Sequence, residues 1–220
     1  MSATLQTTAP LQLYGQALQG RMRTAAAGGV RLRFKGGSAL PLPIDRYLGL
    51  ADRGDLELLG GVGGPVLDVG CGPGRHLRAL SARGVSALGV DLSPAAVALA
   101  QAGGGRAVVG DVFGELPGVG SWQTALLLDG NVGIGGNPER LLARVRDLLA
   151  GGGIVLAEVE APGAAGGAQR ARIETDEEAS AWFPWGRLSA SEVGAVAVAA
   201  GLSAERVWTS AGRWFARLQR

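Results

Sequence analysis

The chain has 220 residues, 38 of them glycine, and a formal net charge of +2 at pH 7. This length suits one α/β domain with an appended segment, and the small net charge excludes a broad basic surface for nucleic acid. The single cysteine, Cys71, excludes internal disulfides and multi-cysteine metal sites. Neither a signal peptide nor an apolar run of roughly 18 residues is visible. We therefore expect a soluble, cytoplasmic protein.

The first part of the chain predicts an appendage to a main domain. Residues 1–9 are small and polar, which favours disorder, and Pro10 suits the start of a helix. Residues 30–35 alternate apolar and basic side chains, as a strand does, and residues 40–44 return as an edge strand because they contain two prolines. A helical pattern follows toward residue 59. We interpret residues 1–60 as an extension that either covers the mouth of the main domain or packs against its side.

From residue 61 onward the chain alternates strands and helices. The apolar runs lie at 65–69, 85–91, 107–110, 124–128 and 154–159. Such alternation predicts a parallel sheet with helices on both faces, joined by right-handed crossovers. The late segments 204–209 and 213–218 are close enough to pair as a hairpin, which adds an antiparallel strand. We therefore predict one α/β domain over residues 61–220.

A glycine-rich turn follows the first of these strands, with the spacing G-x-G-x-G over Gly70, Gly72 and Gly74. The dinucleotide fingerprint requires a glycine where this chain has Arg75. Asp68, at the end of the strand, repels a pyrophosphate and attracts a sulfonium or ammonium group. The turn therefore favours a cationic nucleoside without phosphate, such as S-adenosylmethionine (SAM). The alternative is a turn that binds no ligand.

Carboxylates stand at four successive strand ends, where ligands bind in open α/β sheets. Beyond Asp68, Asp91 is placed to accept hydrogen bonds from ribose hydroxyls. Asp111 suits an exocyclic amine such as that of adenine, and the N–H of Val112 suits a ring nitrogen. Asp129 follows the fourth strand, where the reacting end of the ligand should lie. Each aspartate alone is also explained as a loop or capping residue, but four in succession favour a ligand site.

The segment Val66–Gly74 closely resembles the first motif of the class I SAM-dependent methyltransferases. Residues 89–93, 110–112 and 128–131 resemble the second, third and fourth motifs, and 149–153 resembles the turn before the fifth strand. The resemblance covers roughly residues 60–220. It implies an α/β fold with a doubly wound, seven-stranded, mostly parallel sheet whose last strand is antiparallel, plus the N-terminal extension with its helix and small β-hairpin.

The resemblance also implies cofactor contacts. The glycine turn would face the methionine part of SAM, Asp91 the ribose, and Asp111 with Val112 the adenine. The predicted cofactor-binding residues are Asp68, Gly70, Cys71, Gly72, Gly74, Asp91, Leu92, Asp111, Val112 and Leu128. The fourth motif lacks the Asn/Asp-Pro-Pro-Tyr/Phe pattern of enzymes that methylate exocyclic or amide nitrogens. This departure argues against DNA adenine and similar substrates.

Methyl transfer by in-line displacement depends on alignment and on exclusion of water. Asp129 is the candidate base for a hydroxyl acceptor, and Asn131 is placed to orient the acceptor. The only histidine, His76, suits a structural or cofactor-edge role better than that of a base.

Three aromatic residues are candidates for contacting the acceptor, namely Tyr14, Trp182 and Trp185. The two tryptophans are equally explained as a hydrophobic plug over the sheet edge, and Tyr14 as a packing residue. The sequence thus predicts a SAM-dependent methyltransferase of a small molecule, without a metal, a nucleic-acid partner or a membrane. The alternatives are a SAM-binding protein without turnover and, less favoured, a nicotinamide oxidoreductase.

Overall fold

The computed structural model describes residues 6–20 and 29–220. Its helices are α1 (Pro10–Leu18), α2 (Ile44–Leu48), α3 (Arg53–Leu59), α4 (Arg75–Ala82), α5 (Pro94–Ala102), α6 (Pro138–Leu148) and α7 (Val193–Ala199). Its strands are β1 (Gln6–Thr8), β2 (Arg31–Phe34), β3 (Ala39–Pro41), β4 (Val66–Val69), β5 (Ala87–Asp91), β6 (Ala107–Val109), β7 (Trp122–Leu127), β8 (Leu149–Val159), β9 (Arg170–Glu174), β10 (Glu178–Ser180), β11 (Phe183–Pro184), β12 (Ser203–Ser210) and β13 (Arg213–Gln219). None of the helices in these ranges is long and apolar enough to cross a bilayer.

Seven strands form the main sheet, in the order β12-β13-β8-β7-β4-β5-β6. Strands β4 to β8 run parallel, and β13 runs antiparallel to both β8 and β12. The predicted fold class is confirmed, including the antiparallel strand supplied by the terminal hairpin. The strand order reverses beside β4, so the segments that follow β4 and β7 meet at the point where such sheets bind ligands.

Local sequence explains why the main sheet forms. All four residues of β4 are buried, as in a strand covered by helices on both faces. The Ser93 side chain accepts a hydrogen bond from the N–H of Ala96 at 3.2 Å and so caps α5. Asn137 caps α6 in the same way, and a proline occupies the first turn of each helix. These caps fix where α5 and α6 begin after the strands that precede them.

A second, smaller sheet joins two distant parts of the chain. Its strand order is β1-β10-β9-β2-β3, and β11 also pairs with β9. The predicted N-terminal helix is confirmed as α1, and the predicted hairpin as β2 and β3, with β3 at the edge. The expected disorder is wrong for residues 6–8, which pair with β10; residues 1–5 lie outside the described ranges. The helical pattern toward residue 59 is two helices, α2 and α3.

An ion-pair cluster holds the two parts of the small sheet together. The Glu174 carboxylate accepts hydrogen bonds from Nε of Arg31 at 2.9 Å, from Nε of Arg33 at 2.8 Å and from Nε of Arg172 at 3.0 Å. Burial alone would raise the pKa of Glu174, but the three guanidinium groups outweigh it and lower that pKa. The register in which β2 pairs with β9 therefore satisfies a carboxylate that would otherwise be buried unpaired.

Candidate active site

A cavity of about 840 Å³ lies between the carboxyl ends of the main-sheet strands and the small sheet. The glycine turn after β4 and the segments after β5 and β7 form its floor, and residues of α1, β2 and β11 form its roof. Cofactor and ligand sites commonly measure about 300–1,000 Å³. The cavity therefore has room for a nucleoside-sized group and a second small molecule.

Two glycines of the turn are required by close neighbours. Gly70 has φ of +71° and Gly72 has φ of +52°, a region that disfavours other residues. A Cβ atom on Gly70 would lie 2.7 Å from Nδ2 of Asn131, and one on Gly72 would lie 3.3 Å from the Tyr14 hydroxyl oxygen. The turn is thus packed between a side chain of the main domain and one of the N-terminal helix.

Asp91 lines the cavity at the end of β5. Its two carboxylate oxygens accept the backbone N–H groups of Gly72 at 2.9 Å and of Ser93 at 2.8 Å. Burial raises the pKa of Asp91, and these two hydrogen bonds oppose the rise. Because a carboxylate offers about four acceptor positions, Asp91 retains capacity for ligand hydroxyls.

Asp68 lies beneath the glycine turn and is not part of the cavity wall. It is 1% exposed, and its Oδ2 atom has no hydrogen-bond partner among the described residues. Burial raises the pKa of this carboxyl group to about 6. His76 stands between Asp68 and the cavity, with its Nδ1 atom 3.8 Å from Oδ2 of Asp68. The structure therefore places the Asp68 charge behind the turn.

The other predicted cofactor residues fall in two settings, on the cavity wall and outside it. Leu92, Asp111 and Val112 line the cavity, and Asp111 also accepts the N–H of Phe113 at 2.9 Å. The Cys71 thiol lines it too, and burial raises the pKa of that thiol, which therefore stays protonated. Leu128 and Gly74, by contrast, lie outside the cavity wall. Leu128 is fully buried in the core of the main domain, and Gly74 is the N-cap residue of α4.

Asp129 lies on the cavity floor, where two guanidinium groups neutralise it. Its Oδ2 atom is 2.5 Å from Arg75, and its Oδ1 atom is 3.5 Å from Arg213. The backbone N–H of Asp129 donates to Glu158 at 2.7 Å, and Arg213 also binds Glu158. Both carboxylate oxygens of Asp129 are therefore engaged by guanidinium groups of the chain itself.

Asp55 of α3 lies at the centre of this charge network, fully buried. It pairs with Arg75, with Arg213 at 2.8 Å and with Arg46 at 2.9 Å. Burial alone would raise the pKa of Asp55, but the nearby His76 ring, the hydrogen bond from Arg213 and the charge of Arg75 lower it well below its usual range. Asp55 was not among the residues predicted for the site, because its only local signal in the sequence is its part in the α3 capping box with Asp52.

Asn131 acts on the glycine turn through its side chain. Its Nδ2 group donates to the carbonyl oxygens of Val69 at 3.0 Å and of Gly70 at 2.8 Å. The predicted reacting-end residues Asp129 and Asn131 are therefore brought together at the floor of the cavity, each already engaged by neighbouring groups of the chain.

The predicted aromatic residues separate into two groups. Tyr14 and Trp185 line the cavity, whereas Trp182 packs under the guanidinium of Arg172, 4.9 Å from its ring centre, outside the cavity wall. Burial and the charge of Asp91 raise the pKa of Tyr14 well above its usual value, so its hydroxyl remains neutral. Tyr47, which was not predicted from the sequence, also lines the cavity, and burial raises the pKa of its hydroxyl.

Part of the chain that forms this site matches a known family of proteins. Residues 66–153 match the family described as "Methyltransferase domain". That span runs from β4 to the beginning of β8, and so contains the glycine turn and the strand-end carboxylates. A search of curated proteins finds no significant match to the sequence.

Solved structures share the fold at low sequence identity. A SAM-dependent methyltransferase from Bacteroides fragilis in complex with S-adenosyl-L-homocysteine is 19% identical, with a TM-score of 0.72 over 98% of this chain and 97% of that one. The 1,6-didemethyltoxoflavin-N1-methyltransferase of Burkholderia thailandensis is 19% identical, with a TM-score of 0.58 over 99% and 93%. An amino pentose methyltransferase from Micromonospora echinaspora is 21% identical, with a TM-score of 0.57 over 80% and 94%. Residues 66–153 thus match a methyltransferase domain, and the chain has the fold of the class I SAM-dependent methyltransferases.

Proposed function

We propose that this enzyme transfers the methyl group of SAM to a small-molecule acceptor by in-line displacement. The observation that carries the proposal is the cavity, which opens directly over the glycine turn and the strand-end carboxylates of the methyltransferase domain. Two of the similar structures contain S-adenosylhomocysteine (SAH) and one contains SAM, which supports SAM as the cofactor of this chain.

The residues around the cofactor half of the cavity fit adenosine. Asp91 and Asp111 are acceptors for ribose hydroxyls and for the adenine amino group, respectively. Leu92 and Val112 supply apolar surface beside them. The glycine turn brings backbone close to the ligand without side chains in the way.

SAM supplies an electrophilic methyl group on a sulfonium centre. The chain supplies alignment and exclusion of water, which are the main demands of a displacement reaction. We propose that Asn131 holds the glycine turn at the reacting end. Because Asp129 is paired with Arg75, we propose that it orients the floor of the cavity and does not serve as the base. The acceptor then attacks the methyl group with a lone pair that is available without prior deprotonation.

We further propose that residues 1–60 form a cap together with the strands of the 170–184 segment. The support is the small sheet, whose strands come from both segments and whose residues roof the cavity. In this role the cap shields the methyl group from water. Cytoplasmic location and the absence of nucleic-acid and membrane partners remain predictions from the sequence.

Release of SAH tests the proposal. The protein is incubated with methyl-labelled SAM and a panel of neutral small molecules that bear oxygen, nitrogen or sulfur nucleophiles. We expect equal amounts of labelled product and SAH with at least one acceptor class. SAM binding with no product from any acceptor would favour the silent SAM-binding alternative, and binding of NADH in place of SAM would favour an oxidoreductase.

A further inference from the structure

The half of the cavity beneath the small sheet has aromatic and aliphatic walls. They are formed by Leu32, Phe34, Ile173, Phe183 and Trp185, which together we call the acceptor chamber. The rings of Phe183 and Trp185 meet edge to face, with centres 6.1 Å apart and an interplanar angle of 88°. Ile134, from the segment after β7, forms a backbone bridge with Trp185 and ties the chamber to the main sheet. Such a surface favours a flat apolar ligand.

One ion pair supplies the charge beside the chamber. Arg187 binds Glu160 through two parallel hydrogen bonds, one of them 2.5 Å from Nε to Oε1. The Arg187 guanidinium also lies over the ring of Phe34, 5.1 Å from its centre. The positive charge of Arg187 is therefore compensated by a carboxylate and further stabilised by an aromatic face.

The backbone holds this pair in place. The N–H of Glu160 donates to the carbonyl oxygen of Leu188 at 2.8 Å, and Arg187 and Gly167 exchange two backbone hydrogen bonds of 2.8 and 3.0 Å. Glu160 and Arg187 flank the segment that supplies β9, β10 and β11 of the small sheet. Backbone hydrogen bonds therefore hold Glu160 and Arg187 beside each other.

The pairing has a consequence for the charge of the acceptor. In the described part of the cavity wall, every guanidinium has a carboxylate partner: Arg187 has Glu160, and Arg46 and Arg75 have Asp55. An acceptor in the chamber that carried a charge would have to separate the Glu160–Arg187 pair or remain uncompensated there, and either is costly away from water. A neutral acceptor avoids the cost.

We propose that the acceptor chamber takes a neutral, flat aromatic molecule and that the Glu160–Arg187 pair sets this charge selectivity. The inference rests on the proposed function, because it assigns the acceptor of that reaction. It makes Glu160 and Arg187 specificity-determining residues, with no part in the chemistry itself.

Three naphthalenes that differ only in the substituent at position 2 test the charge selectivity: 2-naphthol, 2-naphthoate and 2-naphthylmethylammonium. Each is titrated at pH 7 into protein saturated with SAH, with binding followed by calorimetry and by quenching of tryptophan fluorescence. We expect the neutral 2-naphthol to bind about tenfold more tightly than either ion, the difference that one uncompensated charged group produces. Equal affinity for the three compounds would overturn the proposal.

Reciprocal variants test the ion pair itself. Glu160→Gln leaves the Arg187 cation unpaired and should raise the affinity for 2-naphthoate about tenfold, whereas Arg187→Gln should do the same for 2-naphthylmethylammonium. Glu205→Gln, which breaks the exposed pair with Arg217 on the terminal hairpin, is the matched control and should change neither. Unchanged selectivity in both variants, with SAH affinity intact, would overturn the assignment to this pair. If SAH itself does not bind, the proposed function fails, and the same titrations without SAH still test the chamber.

Discussion

The side-chain amide of Asn131 donates a hydrogen bond of 2.8 Å to the carbonyl oxygen of Gly70. The bond joins the segment after β7 to the turn after β4, which are the two floor segments nearest to the reversal of strand order. It also explains why Gly70 has no side chain, since a Cβ atom would collide with that amide. The reacting end of the site is therefore built on the same contact that shapes the cofactor turn.

Asn131→Ala should weaken SAH binding about tenfold, because it frees the turn and leaves two carbonyl oxygens without their donor. Calorimetric titration of SAH measures the change. Asn137→Ala is the matched control: it removes the cap of α6, at a cost of about 1 kcal/mol of stability, without touching the turn. Equal SAH affinity in wild type and Asn131→Ala would show that the contact does not organise the site.

Asp68→Asn should stabilise the protein at neutral pH. The folded-state pKa of Asp68 is raised to about 6 from an ordinary value of 3.8, so folding resists ionisation of this group. The wild type therefore loses stability as pH rises from about 4 to about 6, by about 3 kcal/mol for a shift of this size. The variant lacks this loss.

Urea unfolding of both proteins at pH 4 and pH 7 measures the effect of Asp68. We expect the free energy of unfolding of Asp68→Asn, relative to wild type, to be more favourable at pH 7 than at pH 4. Parallel pH dependence in the two proteins would mean that Asp68 is solvated or paired in the folded state.

Asp55→Asn should destabilise the fold by about 3–5 kcal/mol, since it leaves buried guanidinium groups without their shared carboxylate. Because the pKa of Asp55 is lowered in the folded state, its contribution is present above about pH 3.9 and is lost as the pH falls below that value. The gap between variant and wild type should therefore shrink in acid.

The control for Asp55 is Glu57→Gln, which breaks the exposed pair with Arg53 on the same helix. We expect less than about 1 kcal/mol from that change. Denaturant unfolding compares the three proteins, and equal losses for the buried and the exposed carboxylate would argue against a central role for Asp55.

The main sheet follows from local sequence, whereas the small sheet does not. Strands such as Val66–Val69 are continuous apolar runs bounded by glycine turns and capped helices, so neighbouring residues suffice to predict them. Strand β9 pairs with β2 across some 140 residues, and two of its five residues are arginines, which interrupt the apolar pattern. No local pattern specifies that pairing.

The same limit applies to the candidate site. The sequence marks Asp91, Asp111 and Asp129 because strand ends are recognisable, and the structure places all three on the cavity wall. The sequence gives no sign that Arg75, 54 residues before Asp129, binds the Asp129 carboxylate. It also gives no sign that Arg213, on the last strand, binds the same carboxylate. Arg75 stands where a dinucleotide site has glycine, and the structure gives that departure a role in the charge network.

Calorimetric titration of SAH into the wild-type protein and Asp91→Asn tests the central claim most directly. The account predicts saturable one-to-one binding to the wild type and at least about tenfold weaker binding to the variant, because Asp91 loses its charge and one of its two acceptor oxygens. Asp147→Asn, an exposed position paired with Arg146 on α6, should bind as the wild type does. Absence of SAH binding to the wild type at millimolar concentration would contradict the account.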